Sequence, residues 1–406
     1  MTRSSFHEVQ SMRHDAFPDP ALSYRSIRAR TRELFELITP DAYYDRPIAL
    51  RNPIVFYEGH LPAFAVNTLV KFGLGRKGID ASFETLFARG IDPEDEASAR
   101  SPTDLWPARD AVQAYGVEAD ALVEGALREL PDAEATFTVL EHELMHQETL
   151  LYMLHELDHA KKRPRKSLHG STAPAPGDTR RPTAAAVTVP AGTARLGQDP
   201  PQFGWDNEFP AHTVEVAEFM IDAHDVTNGQ FLEYLQATGA TAPHFWRLRD
   251  GEWFWRGMFE LSPLVLDAPV YVNHEQATAY AKWSGARLPT EPELDRAAYG
   301  AEPATDGNFD FRHWEPVSIG SFAPNGFGIY DLIGNGWEWT STLFEPFDGF
   351  RPMPSYPQYS ADFFDRAHYV MKGASPSTPR ELVRRSFRNW FRPAYPYVYA
   401  TFRCVR

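Results

Sequence analysis

A chain of 406 residues, 43% hydrophobic and 23% charged, has the composition of a soluble globular protein and is too long for one ordinary core, so two domains are expected. Its net charge of −15 argues against nucleic acid and anionic membrane as partners, and no run of about 18 apolar residues exists to span a bilayer. The single cysteine, Cys404, rules out an intrachain disulfide framework and suits a reducing cytoplasm, and the start, Met1-Thr-Arg-Ser-Ser, has no apolar segment that would make it a secretory signal.

The first third reads as helices. Asp19-Pro20 supplies an N-cap and an N1 proline, Leu34, Phe35 and Ile38 give an apolar face, and Pro40 ends the segment. A second segment, about Gly59 to Phe72, carries Phe64, Leu69 and Val70. A third spans about Trp106 to Leu130, and a fourth runs from about Pro131 to about Lys161 with no Gly and no internal Pro. Four helices with loops of mixed length predict an all-α four-helix bundle over residues 1–165.

The fourth helix carries Glu141-His142-Glu143-Leu144-Met145-His146-Gln147-Glu148. At 3.6 residues per turn His142 and His146 share one face, and two imidazoles so placed can reach one metal ion while leaving room for a third ligand. Phe137, Leu140, Leu144, Leu151 and Leu154 line the other side, and Val139, Leu150 and Met153 accompany the histidines, so the helix is expected to be buried on both sides. His155 and His159 repeat the spacing but point the other way, among Glu156, Asp158, Lys161 and Lys162, and read as a solvated terminus. A bundle builds metal sites between facing helices, and His60 is the only histidine of the second segment. The spacing leaves two alternatives open: His60 as a helix-start histidine with no ligand role, and His142-Glu-Leu-Met-His146 as the His-Glu-x-x-His string of a zinc hydrolase.

From about Arg163 the composition changes to Lys, Arg, Ser, Thr, Pro, Gly and Ala, predicting a linker over 166–186. Beyond it, over 187–406, Val187-Thr-Val-Pro and Thr213-Val-Glu-Val-Ala-Glu-Phe-Met-Ile alternate as short strands, while Asp225-Val-Thr-Asn and Asn273-His-Glu-Gln open helices. The rest is turn and loop rich in Gly, Pro and Trp, which predicts a large α+β domain held by aromatic side chains.

Specific strings lie in this second region: Ala279-Tyr-Ala-Lys-Trp-Ser-Gly-Ala-Arg-Leu-Pro-Thr-Glu-Pro-Glu-Leu294, Gly334-Asn-Gly-Trp-Glu-Trp-Thr340, Arg385-Ser-Phe-Arg-Asn-Trp390 and Ala400-Thr-Phe-Arg-Cys404. They look like the formylglycine-generating-enzyme fold, a variant of the C-type lectin-like fold. Preceded by a DinB-like bundle with His142, His146 and Glu148 in a His-x-x-x-His-x-Glu run, they make the chain resemble the ergothioneine-biosynthesis sulfoxide synthases. The resemblance implies a non-haem Fe(2+) site formed by His60, His142 and His146, and the use of O2 to join a sulfur donor to C2 of the imidazole ring of hercynine. It implies that Tyr356, in Gly349-Phe-Arg-Pro-Met-Pro-Ser-Tyr356, delivers a proton, and that Asn389 and Trp390 receive the carboxylate and trimethylammonium of hercynine. Glu148 is left a supporting or structural role. Met145 stands where family members often have Gln.

In members using γ-glutamylcysteine, Asn-Trp is followed by Asp, with Arg four residues later; here those places hold Phe391 and Tyr395. Aromatic rings suit a neutral, hydroxyl-rich donor, which resembles the selenoneine synthase branch, where a selenosugar is joined to hercynine. Cysteine or γ-glutamylcysteine is the alternative donor, with Arg392 or Arg100 to meet an acidic group. A sulfatase-maturing oxidase would need a reactive cysteine pair that Cys404 alone cannot form, and a lectin-like binding module would leave the three histidines unexplained.

Overall fold

A computed structural model describes residues 11–88, 106–165, 168 and 186–406. Arg100 and nearly all of the expected linker lie outside the described residues. The chain divides into two compact units. The first runs to Pro164 and also takes in two segments remote in sequence, Asp199–Trp205 and Met353–Pro357; the second holds the remainder.

The first unit contains α1 (Pro20–Phe35), α2 (Ile54–Ala65), α3 (Ala81–Leu86), α4 (Arg109–Glu129) and α5 (Glu134–Glu156). The Asp19 carboxylate accepts from the backbone N–H of Leu22 at 3.0 Å with Pro20 at N1, so α1 begins where its capping signal stands. α2 starts five residues before Gly59, so the glycine is not a helix-start signal. Gly59 sits inside the helix because the Phe87 ring lies against it: a Cβ there would meet that ring at 2.5 Å. Pro62, also internal, removes one backbone donor, and the helix continues into a π-helical stretch, Val66–Gly73. α5 packs on α1 and α2, and α4 packs on the same two helices.

A buried polar network joins three of these helices. Arg28 on α1 donates to Asp120 on α4 at 2.8 Å and to Glu143 on α5 at 3.1 Å; the Thr31 hydroxyl donates to Glu143 at 2.6 Å and the Tyr24 hydroxyl to Asp120 at 2.9 Å. At the other end of α5 one expectation is overturned. His155 is buried, not solvated. The chain after α5 folds back along the end of α1: Arg163 N–H donates to the Leu37 carbonyl at 2.7 Å, Thr39 N–H to the Lys161 carbonyl at 3.0 Å, and Lys162 Nζ to the His155 carbonyl at 3.0 Å. Nearby charges suggested water, but the returning chain covers the helix end.

The second unit is α+β. It holds β1 (Ala186–Val189), β2 (Gly192–Leu196), β3 (His212–Val216), β4 (Phe219–Asp222), β5 (Trp246–Arg249), β6 (Glu252–Arg256), β7 (Leu261–Pro263), β8 (Gly336–Leu343), β9 (Tyr369–Ala374), β10 (Asn389–Phe391) and β11 (Ala400–Thr401), with α6 (Asn228–Thr238), α7 (His274–Trp283) and α8 (Glu291–Tyr299). All three helices open with a capping box: Thr227 with Gln230, Asn273 with Gln276, Thr290 with Glu293. The principal sheet has strand order β10-β9-β8-β11, antiparallel except for the parallel β8–β11 pair. Beneath it Arg403, fully buried, donates to Glu338 at 2.6 and 2.8 Å and to Asp225 at 3.1 Å, tying the last residues to the centre of the sheet. Among the described residues no helix is long and apolar enough to cross a membrane.

Candidate metal centre

α2 presents Phe56, His60 and Phe64 at successive i, i+4 positions, and α5 presents His142 and His146. One nitrogen from each of His60, His142 and His146 lies within 4.8 Å of the others, and no other such group of His, Cys, Asp or Glu occurs among the described residues. The Nε2 atoms of His142 and His146 are 3.2 Å apart. His60 Nδ1 is 2.9 Å from the Phe87 carbonyl, which can only accept, so Nδ1 carries the hydrogen and Nε2 is left with its lone pair.

Burial pushes the His60 imidazole down to about 4, against the smaller opposing pull of the Phe87 carbonyl. Burial, and then the neighbouring imidazoles of His146 and His60, hold His142 well below its ordinary value; burial, His60 and the Arg51 charge do the same to His146. Three neutral imidazoles facing one point are the donor set of a cation. At a metal–imidazole bond of about 2.1 Å, two nitrogens 3.2 Å apart subtend about 100° at a shared ion, a comfortable ligand angle. The residues therefore fit a divalent transition metal.

The surrounding carboxylates do not join them. Glu143, which a His-Glu-x-x-His hydrolase would need as its general base, is turned to α1 and held by Arg28 and Thr31. Glu141 meets His14 Nε2 at 2.6 Å, and Glu148 is buried.

Tyr356 belongs to the segment Met353–Pro357 of this same unit. Its ring centroid lies 6.1 Å from that of His142 and 5.3 Å from that of Phe64. The preceding Ser355 pins it: its N–H and hydroxyl reach Glu134 Oε1 at 3.0 and 2.9 Å, and Thr138 Oγ1 is 2.9 Å from the same hydroxyl. Met145 is half-buried beside His146.

Asn389, Trp390 and Phe391 form β10 in the second unit and are half-buried. Trp390 stacks on Phe344 at 4.1 Å and 8°, with Tyr359 and Phe363 against it at 5.3 and 5.6 Å. Asn389 Oδ1 accepts from the Trp390 N–H at 2.9 Å. Phe391 stacks on Tyr395 at 4.9 Å, and the row continues through Tyr397 to His244. Arg392 is exposed and reaches Asp365 at 3.4 Å.

Residues 172–406 match the family of the sulfatase-modifying factor enzyme 1-like domain, and residues 23–161 match the DinB superfamily. The hercynine oxygenase of Mycolicibacterium thermoresistibile is 31% identical over 434 residues, an alignment that covers 93% of each chain. The chain belongs to the hercynine oxygenase family of ergothioneine sulfoxide synthases. Ergothioneine biosynthesis protein 1 of Neurospora crassa is 27% identical over 91% of this chain and 56% of its own, so the chain spans about half the length of that relative. Among solved structures, PvdO from Pseudomonas aeruginosa aligns with 54% of this chain and 93% of its own at 25% identity and a TM-score of 0.43. The two family matches make the fold a DinB-like helical domain followed by a formylglycine-generating-enzyme-like domain.

The aromatic surroundings of the three histidines escaped the sequence reading. Phe56 stacks on His60 at 4.8 Å, Phe64 on His142 at 3.5 Å, and Tyr57 lies 5.7 Å from His146. The signal was present in the i, i+4, i+8 run Phe56-His60-Phe64, which puts both phenylalanines on the ligand face. The Phe87 carbonyl carried no signal at all, since backbone contacts 27 residues apart are not written in side-chain pattern.

Proposed function

We propose that this chain is a non-haem iron(II), O2-dependent enzyme that forms a carbon–selenium or carbon–sulfur bond at C2 of the hercynine imidazole. A selenosugar is the favoured donor, and γ-glutamylcysteine or cysteine is the alternative. The observation that carries the reading is the cluster of three neutral imidazoles, two buried and His146 half-buried, in a chain whose family is that of the hercynine oxygenases. His60, His142 and His146 would hold the ion and, being only three ligands, leave coordination positions for substrates. Iron supplies the one-electron chemistry that lets O2 react with a thiol or selenol donor.

The ring C–H and the donor S–H or Se–H bonds are lost as one carbon–chalcogen bond forms, a two-electron oxidation. Oxidation of the chalcogen to the sulfoxide or selenoxide takes two more electrons. One atom of O2 stays on the chalcogen and the other leaves as water.

The chain's own groups divide the remaining work. The Tyr356 phenol can donate a hydrogen bond and pass a proton to reduced oxygen, and the Ser355 contacts fix where it stands. Phe56, Tyr57 and Phe64 make the surroundings of the histidines apolar and exclude water. The Asn389 amide can donate to the hercynine carboxylate, and the Trp390 ring can face its trimethylammonium group. Phe391 and Tyr395 offer stacked ring faces where γ-glutamylcysteine-using members have charges. A zwitterionic donor would leave its charged groups unmatched there, at roughly 1–3 kcal/mol per unpaired polar group, whereas a sugar stacks its C–H faces on such rings.

The test is a competition. Iron-loaded enzyme is given hercynine, O2 and equal amounts of 1-selenoglucose, cysteine and γ-glutamylcysteine, and products are read by mass. The selenosugar adduct should dominate. Predominance of the γ-glutamylcysteine sulfoxide would transfer the protein to the thiol-using members, and absence of any hercynine product would overturn the reading entirely.

A further inference from the structure

The three imidazoles are not held in the same way. His60 is oriented by a hydrogen bond from Nδ1 to the Phe87 carbonyl. His142 and His146 have no such support: the Nδ1 atom of each is buried and has no hydrogen-bond partner among the described residues. Metal-binding histidines nearly always use the second ring nitrogen to fix tautomer and ring plane, and losing that partner typically costs 10–100-fold in metal affinity. Among the described residues the contact placed to set the plane of His142 is a ring stack. The Phe64 ring lies parallel to it at 3.5 Å with an interplanar angle of 10°, the closest ring pair around the cluster. Phe64 is itself 7% exposed and sits on α2 one turn after His60, so its ring is carried by the same rigid element as another ligand. It also touches Tyr356 at 5.3 Å.

We propose that Phe64 is a positioning residue of the metal centre: by stacking face to face it fixes the His142 ring plane, and through α2 it keeps that plane in register with His60. The inference rests on the reading of His60, His142 and His146 as the metal ligands. Phe56 provides the internal comparison. It stacks on His60 at 4.8 Å and 17°, but His60 already has its hydrogen bond, so the Phe56 ring is redundant for orientation.

The experiment compares Co(II) and Fe(II) binding by the full-length protein and its variants Phe64→Leu, Phe64→Tyr, Phe56→Leu and His142→Ala. Affinity is read by titration, geometry by the visible Co(II) spectrum and the electron paramagnetic resonance of the iron–nitric oxide adduct. His142→Ala should lose the metal; if it does not, the ligand reading fails, independently of Phe64. Phe64→Leu should weaken affinity by about 10-fold or more and broaden the nitric oxide signal. Phe64→Tyr, which keeps the flat face, should stay within about 2-fold of the parent, and Phe56→Leu should cost clearly less than Phe64→Leu. Equal losses for the two leucine variants would mean general packing and would overturn the proposal, as would an unchanged affinity and spectrum for Phe64→Leu. If Phe64→Leu does not fold, Phe64→Met takes its place, with the same outcomes deciding.

Discussion

His60, His142 and His146 are distinguished from the other histidines of their helices by convergence, not by residue type. His155 lies nine positions beyond His146 on α5, half a turn away from the ligand face, and is buried among different neighbours. Alanine at His60, His142 or His146 should each abolish retention of one iron per chain, measured by metal analysis after desalting. His155→Ala should keep the iron and lose only stability, because it opens a cavity remote from the site. Iron loss in His155→Ala with retention in His142→Ala would assign the wrong pair. Glu143 separates the remaining alternatives at this scale. Glu143→Gln should leave iron bound and instead cost roughly 1–3 kcal/mol of stability, because Arg28 loses one of its two carboxylate partners and keeps Asp120. A protein that keeps its stability but loses a metal-dependent hydrolysis would restore the zinc-hydrolase reading.

At the scale of elements, the contact that matters most for Tyr356 is made by its neighbour. Ser355 donates twice to Glu134 in the first turn of α5, eight residues before His142 on the same helix. The helix therefore measures the distance from the serine clamp to the ligand. Glu134→Ala and Ser355→Ala should leave iron affinity unchanged while slowing bond formation in the same direction as Tyr356→Phe, with O2 diverted to oxidation of the donor. The ratio of the two products by mass checks this; a normal ratio in Ser355→Ala alongside a disturbed one in Tyr356→Phe would show that the clamp is not needed to place the phenol. α5 and its histidine pair were legible because an unbroken helix turns i, i+4 spacing directly into geometry. The start of α2 was not, because Gly59 and Pro62 are helix breakers by propensity and are tolerated here by close packing against Phe87 and by the π-helical continuation. His155 was misread because the chain that covers it returns from beyond the helix. The serine clamp spans 221 residues of sequence, a pairing that no local pattern encodes.

For the molecule as a whole, buried titrating groups of opposite sign set the response to acid. In the second unit His274 opens α7, donates Nε2–H to the Thr340 carbonyl at 3.0 Å and stacks on Tyr369 at 3.8 Å. Burial pushes its imidazole down to about 4, from an ordinary 6.5. Between those values the unfolded chain binds a proton that the folded chain does not, so stability is full above 6.5 and is lost as pH falls towards 4, by roughly 3 kcal/mol for 2.5 units. Asp331 works the other way. Burial raises its carboxyl to about 6, so below that value the folded chain takes up a proton before the unfolded one does, which offsets part of the loss from His274. Asp331 has φ 55, a left-handed conformation that Asn also tolerates, so Asp331→Asn removes the titration with little backbone strain. Melting temperatures measured from pH 8 to 4.5 should fall less steeply in His274→Gln than in the parent and more steeply in Asp331→Asn. Parallel curves for all three proteins would place the acid sensitivity elsewhere, with the histidines of the helical unit as the next groups to replace.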